Sequence, residues 1–309
     1  MAQASKLRIG VRGGRLAAAL AHEIEQALQQ AHPHLTVEVV RIAGSGDHVH
    51  DAPPRSGGFT LELDRALVSG KIDAALHDLA DVALARPDGH VLAAVPRRRH
   101  PFDVLLTRDG RILDELEGGE RIGASSVSRR AQMLAYREDL RAVSARGNLE
   151  THLHQLEAGD FEGLVMAATD AERLGWYEHV SEIFTTEVCV PEPGQGALAL
   201  ETLSDRADVQ TALEALDDRA SRLAVVAERA WLSEMGEQDD LPGGALANVV
   251  DGRIVIEAVI VSPDGLEIVR DEAEGPVASA EAIGAKLAVR MLERGARDIL
   301  EALAGEETE

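Results

Sequence analysis

Two aspartates three residues apart, Asp78 and Asp81, close the stretch HDLADV (77–82) behind a short apolar run. Like charges that close together repel, which raises the pKa of one member of the pair. Read alone, Asp81 is a helix N-cap beside a strand that ends at His77, a position where aspartate is favoured. Arg12 and Arg146 each follow a strand-like run and stand where loops leave strand ends. A guanidinium there offers a planar fork that matches a carboxylate. A third feature is the segment MGEQDDLPGG (235–244), where Glu234, Glu237, Asp239 and Asp240 crowd the end of an alanine-rich helix. Cys189 is the only cysteine and reads as a small buried hydrophobe in an apolar, strand-like setting. No metal site is expected: His48 and His50 would point to opposite sides of an extended chain, with no spaced third ligand. The RGG at 12–14 lacks the ending and spacing of a phosphate loop.

The elements that must position these residues follow from hydrophobic period. LRIGV (7–11) reads as a strand and RLAAALAHEIEQALQQA as a helix, with Leu16, Leu20, Ile24 and Leu28 four apart. LTVEVVRIA (35–43) is strand-like, and GSGDHVHDAPPRSGG (44–58) is too polar and too broken for regular structure. FTLELDRALVSG is predicted as a helix stopped at Gly70, and IDAALH (72–77) as the strand that delivers Asp78. In the middle, FDVLLTR, RIGAS, RAVSA and GLVMAAT are strand-like, with SRRAQMLAYREDL and LETHLHQLEAG helical between them. Such alternation predicts mostly parallel sheets covered on both faces, with ligands outside the carboxyl ends of the strands. The last third changes to a long helix, DRASRLAVVAERAWLSEM, and a meander over 245–273 with Asp-Gly turns at 251–252 and 264–265. One closing helix is predicted over about 279–303.

With 309 residues the chain is long enough for two or three domains. Acidic residues number 54 against 31 basic ones, a net charge of −23, and only Lys6, Lys71 and Lys286 are lysines. A field of that sign repels nucleic acid and anionic membranes. No apolar run reaches the roughly 18 residues of a membrane span, and the start lacks a secretory pattern. A cytoplasmic, monomeric protein with neither nucleic-acid nor membrane partners is expected.

Six stretches occur in a telling order: LRIGVRGGRLA (7–17), HDLADV (77–82), GASSVSRRAQ (123–132), ARGNLETHL (145–153), GQGALALE (194–201) and AERA (227–230). Together they resemble porphobilinogen deaminase, the hydroxymethylbilane synthase family, over nearly the whole chain. The resemblance implies two periplasmic-binding-protein-like α/β lobes plus a small C-terminal α+β domain built on a three-stranded sheet. It also implies the division 1–97 with 196–216, 98–195, and 217–309. The family joins four porphobilinogen molecules head to tail in heme and other tetrapyrrole biosynthesis. Its growing chain is tethered to a dipyrromethane primer on a cysteine. Carried over residue by residue, the likeness makes Asp81 the candidate catalytic carboxylate. Arg12, Ser125, Ser126, Arg129, Arg146 and Gln195 become candidate substrate-binding residues, with the ligand in the interdomain crevice.

The departures are equally specific. Asp78 and Ala80 replace the serine and lysine of the family's His-Ser-x-Lys-Asp stretch. Ser128 stands in place of the first of two paired arginines in an ungapped register, while a one-residue shift keeps both as Arg129 and Arg130. His152 replaces another arginine, and segment 44–58 holds Arg55 but no lysine. The primer cysteine falls on Asp239 in one register and on Ala245 in the other. Neither supplies a thiol, so no bound dipyrromethane and little standard synthase activity are expected. The alternative is a repurposed homologue that holds a smaller, less anionic ligand or a protein partner.

Overall fold

The computed structural model describes residues 6–13, 15–42, 60–236 and 240–306, giving only the backbone for 15–19, 305 and 306. The polar segment with His48, His50 and Arg55, and the acidic positions Glu237 and Asp239, lie outside the described residues. The chain divides into two units, Met1–Arg99 with Gly196–Arg222, and His100–Gln195 with Leu223–Glu309.

In chain order the first stretch forms β1 (Lys6–Arg12), α1 (Arg15–Ala31), β2 (Thr36–Ile42), α2 (Leu61–Val68), β3 (Ala74–Asp78) and β4 (His90–Ala94). The second forms β5 (Asp103–Thr107), β6 (Arg121–Ala124), α3 (Val127–Tyr136), β7 (Arg141–Ser144), α4 (Leu149–Ala158), β8 (Gly163–Ala167), α5 (Ala168–Arg173) and β9 (Val180–Ile183). The chain then returns to the first unit as β10 (Leu198–Leu203) and α6 (Ala207–Glu214). It ends with α7 (Arg219–Met235), β11 (Gly243–Val250), β12 (Arg253–Val261), β13 (Ile268–Pro276), α8 (Ala280–Met291) and α9 (Arg297–Glu306).

The first unit is a five-stranded sheet in the order β2-β1-β3-β10-β4. Alternation along β1 sends Leu7, Ile9 and Val11 to a core shared with Leu20, Ile24 and Leu28 of α1. The opposite face packs on Leu63, Ala66 and Leu67 of α2 and on Ile72 beyond it. Gly10 lies on that second face, where a Cβ would come 2.3 Å from the Ile72 side chain. The second unit holds a like sheet in the order β7-β6-β8-β5-β9 and a separate antiparallel sheet β11-β12-β13. The predicted turn at Asp251–Gly252 is present, with φ of 49° and 74° as a two-residue hairpin of the primed type requires.

Three features depart from the expected pattern. Neither five-stranded sheet is uniformly parallel: β10 runs antiparallel to β3 and β4, and β5 antiparallel to β8 and β9. The closing helix is not continuous, because Gly295 at φ 112° breaks it between α8 and α9. Cys189 lies in a turn and extended segment outside any strand.

The antiparallel β10 carries Leu198 and Leu200 to the α1 face, so Glu201 points to the other side, where it has no exposed surface. Arg86 meets it with a fork, Nε donating to Oε1 at 2.7 Å and Nη2 to Oε2 at 2.6 Å. The same Nη2 donates to Asp64 Oδ1 at 2.7 Å. Burial works to raise the Glu201 carboxyl, but the neighbouring His77 ring and the Arg86 fork outweigh it and hold the group at about 2. A carboxyl depressed in the folded state contributes stability that is fully present above the ordinary carboxylate range and lost as pH falls through the folded value. Denaturant unfolding followed by circular dichroism should therefore lose about 3 kcal/mol from this group between about pH 4.5 and pH 2. Glu201→Gln should flatten that part of the stability–pH curve while lowering stability at neutral pH.

Candidate functional site

In the first unit, β1 and β3 run parallel with Gly10 level with Ala75. Continuing that register sets Arg12 level with His77 and next to Asp78, so all three finish at the carboxyl ends of neighbouring strands. One 3-10 turn, Leu79–Asp81, then folds the chain so that Asp78 and Asp81 are both half-buried at the strand end. Asp78 is the residue at the N-cap position and its side chain makes no capping bond, so the N-cap role read for Asp81 is not the one it has. Arg12, Asp78 and Asp81 thus come from the carboxyl ends of two neighbouring strands, with Ala80 between the two aspartates.

The second unit repeats the arrangement. Parallel β6 and β7 pair Ala124 with Ser144, so the residues just beyond them come out side by side. Ser125 is exposed, and Ser126 caps α3 by accepting the Arg129 N–H at 3.3 Å. Arg146 is exposed, followed by Gly147 at φ 99° and by Asn148, which caps α4 by accepting the Thr151 N–H at 2.9 Å. Ser125, Ser126 and Arg146 therefore form an outward-facing polar group at the strand ends.

Arg129 and Gln195, expected beside the ligand, are turned inward. Arg129 Nε donates to Asp103 Oδ1 at 2.9 Å and its Nη2 to Gln195 Oε1 at 2.9 Å. Gln195 Nε2 in turn donates to the Pro101 carbonyl at 2.7 Å and to Asp103 Oδ1 at 3.1 Å. Burial is the larger influence on Asp103 and pushes its carboxyl up, while Arg129 pulls it back down. The thiol of Cys189 donates to the other oxygen, Oδ2, at 3.4 Å and is fully buried among Leu105, Leu113 and Phe184. Burial, reinforced by the Asp103 charge, raises that thiol well above its ordinary range. The four side chains make one connected network with Asp103 and Cys189 fully buried.

The neighbouring departures are accommodated in the same way. Ser128 is buried and donates to the Gly243 carbonyl at 2.8 Å, joining α3 to the start of β11. Arg130 donates back to the Ala124 and Ser125 carbonyls at 3.0 and 3.1 Å. His152 is buried, and burial, with the Arg129 charge next, lowers its ring below the ordinary histidine range. Of the two positions aligned with the primer cysteine, Ala245 is inside β11 with no exposed surface, and its N–H donates to the Pro191 carbonyl at 2.9 Å. Sequence reasoning missed two residues that hold these parts together. Asp103 carried a usable signal, as an aspartate opening an otherwise apolar strand. Glu228 of AERA is fully buried and accepts from the Gly194 and Ala247 N–H groups at 2.7 and 2.8 Å, tying the Gly-Gln-Gly turn to β11.

The fold is two open α/β sheets with charged and polar residues at their strand ends, followed by a small α+β sheet. The sequence comparisons are specific. Residues 7–211 match the porphobilinogen deaminase dipyrromethane cofactor-binding domain, and residues 222–293 its C-terminal domain. The porphobilinogen deaminase of Pelotomaculum thermopropionicum is 39% identical, covering 98% of both chains, and that of Desulforudis audaxviator is 40% identical, covering 94% of this chain and 96% of its own. Among solved structures, a Bordetella pertussis BvgS periplasmic domain aligns at 18% identity and a TM-score of 0.41, over 69% of this chain and 86% of its own. The chain belongs to the porphobilinogen deaminase family, whose members use a dipyrromethane cofactor and act in tetrapyrrole biosynthesis.

The two arginines should separate by experiment. Arg129→Met leaves Asp103 buried without its charge partner and should cost about 3–5 kcal/mol in denaturant unfolding. Arg146→Ala, at an exposed loop, should stay within about 0.5 kcal/mol of the parent.

Proposed function

We propose that this chain is a porphobilinogen deaminase homologue that does not carry out covalently primed tetrapyrrole assembly. It binds instead a small ligand less anionic than a growing polypyrrole. The observation that carries this is the state of its single thiol. A thioether primer requires a thiolate that can reach the pyrrole, and Cys189 is sealed in the core, hydrogen-bonded to a carboxylate and pushed toward its protonated form. Asp239 and Ala245 offer no sulfur at the aligned positions. The residues present do not fit the family's cofactor.

The distribution of cations supports the same reading. Holding successive acetate and propionate groups takes many arginines and lysines. Here Arg129 is engaged with Asp103, Arg86 with Glu201 and Asp64, and Ala80 and His152 stand where the family pattern has cations. Arg12 and Arg146, at the carboxyl ends of their strands, are the candidate carboxylate contacts, with Ser125 and Ser126 near Arg146. The described residues contain no helix long and apolar enough to cross a membrane. With its surplus of 23 negative charges, we infer a cytoplasmic monomer without nucleic-acid or membrane partners.

One observation favours a second reading, untethered chemistry on a single pyrrole. Asp81 is retained at the end of β3, where a carboxylate could accept a pyrrole N–H. Supplying porphobilinogen to the purified protein distinguishes the readings. Under the first, porphobilinogen is not consumed and no uroporphyrin forms. Consumption abolished by Asp81→Asn would establish the second. Calorimetry should show no tight porphobilinogen binding, and tight binding lost in Arg12→Ala or Arg146→Ala would contradict the proposal. Thiol labelling should leave Cys189 unmodified in the folded protein and modify it fully in denaturant.

A further inference from the structure

The buried charge group in the first unit has no role in the reading above. Asp64 on α2, His90 at the start of β4 and Glu201 on β10 bring one carboxylate oxygen, one ring nitrogen and one more carboxylate oxygen within 4.8 Å of one another. His90 Nδ1 lies 3.4 Å from Glu201 Oε1 and 3.9 Å from Asp64 Oδ1. That side chain is 1% exposed, yet its Nδ1 makes no hydrogen bond. On the other side His77 Nε2, at 3% side-chain exposure, lies 3.3 Å from Glu201 Oε2. A buried polar atom without a partner carries a desolvation cost. His77 is close enough to lower the Glu201 carboxyl, whereas the His90 nitrogen is turned toward the two carboxylates without a hydrogen bond.

Asp64 and Glu201 bring two carboxylates to the pocket, with Arg86 between them and His77 against Glu201. A divalent ion would offset both, and neutral imidazole is its natural nitrogen donor. The two spacings from His90 are near those of a small tetrahedral ion. Metal–ligand bonds of about 2.0–2.1 Å put neighbouring donor atoms about 3.3–3.4 Å apart. The 3.4 Å edge already meets that value, and the 3.9 Å edge needs a shift of about half an ångström. Arg86 Nη2, 2.6 and 2.7 Å from the two carboxylates, stands where the cation would be held. It reaches in from the connection between β3 and β4, so it can leave without disturbing a strand.

We propose that Asp64, His90 and Glu201 form a binding site for a divalent transition metal of the zinc class, with Arg86 as the counter-ion that occupies it in the metal's absence. His77 stands behind Glu201 and orients it. The site is independent of the ligand reading in the preceding section, since no residue proposed to contact that ligand takes part.

The test uses the full-length protein, stripped with a chelator and titrated with cobalt(II) and with zinc. Cobalt(II) should give the intense visible absorption of a tetrahedral site with mixed nitrogen and oxygen donors, and zinc should displace it at one equivalent. His90→Leu should abolish the band and weaken zinc binding at least tenfold. Arg86→Met, which removes the competing cation but no ligand, should tighten zinc binding at least tenfold. That gain cannot arise from misfolding, and circular dichroism on each variant checks the fold independently. A stripped protein that gives no tetrahedral cobalt band would overturn the proposal. So would zinc binding that is unchanged in both variants, which would place the ion on surface histidines.

Discussion

A carboxylate with almost no exposed surface must be paired or neutral, and in the second unit everything near the strand ends depends on how Asp103 meets that constraint. One oxygen takes the Arg129 Nε and the Gln195 amide, and the other takes the Cys189 thiol. Gln195 is held in turn by the Gly194 turn that Glu228 pins, and Glu228 also holds β11 through Ala247. The network therefore runs from β5 through α3 and the Gly-Gln-Gly turn to the C-terminal sheet. It engages Arg129, Gln195 and Cys189 with their shared neighbour Asp103. Gly244 shows how tight the joint is, since a Cβ there would come 2.2 Å from the Val190 carbonyl oxygen.

The first unit solves the same problem with different partners. Glu201 is as deeply buried as Asp103, and its neutralisation falls to Arg86. Asp73 at the start of β3 is held by Arg8 and Arg206 on the same principle. In a chain with 54 acidic and 31 basic residues, arginines committed to internal carboxylates are withdrawn from ligand binding. The low lysine count leaves little to replace them. The proposal of a ligand with fewer carboxylates than a polypyrrole rests on both the composition and this geometry.

Much of the architecture was legible because hydrophobic period reports burial directly. The amphipathic α1, the apolar β1 and β3, and the Asp-Gly hairpin of the last sheet all follow from local pattern. Antiparallel insertion of β5 and β10 was not legible, because strand direction is settled by pairing across long sequence separations, as between Glu201 and Ala75. The break at Gly295 carried its signal in the glycine, but the surrounding apolar residues continue the helical period through it. At the candidate site, the sequence indicated which residues stand at strand ends, Arg12, Asp78, Asp81, Ser125, Ser126 and Arg146. It could not indicate which way Arg129 turns, because its partner Asp103 is 26 residues away on another element.

The proposal that this chain does not hold the family's primer is tested most directly by the denatured intact mass. The protein should be produced in a host that makes porphobilinogen, incubated with excess porphobilinogen, and then unfolded before weighing. The account predicts the mass of the polypeptide alone. A mass increased by two linked pyrrole rings would contradict it and would mean that some side chain other than an accessible cysteine serves as the anchor.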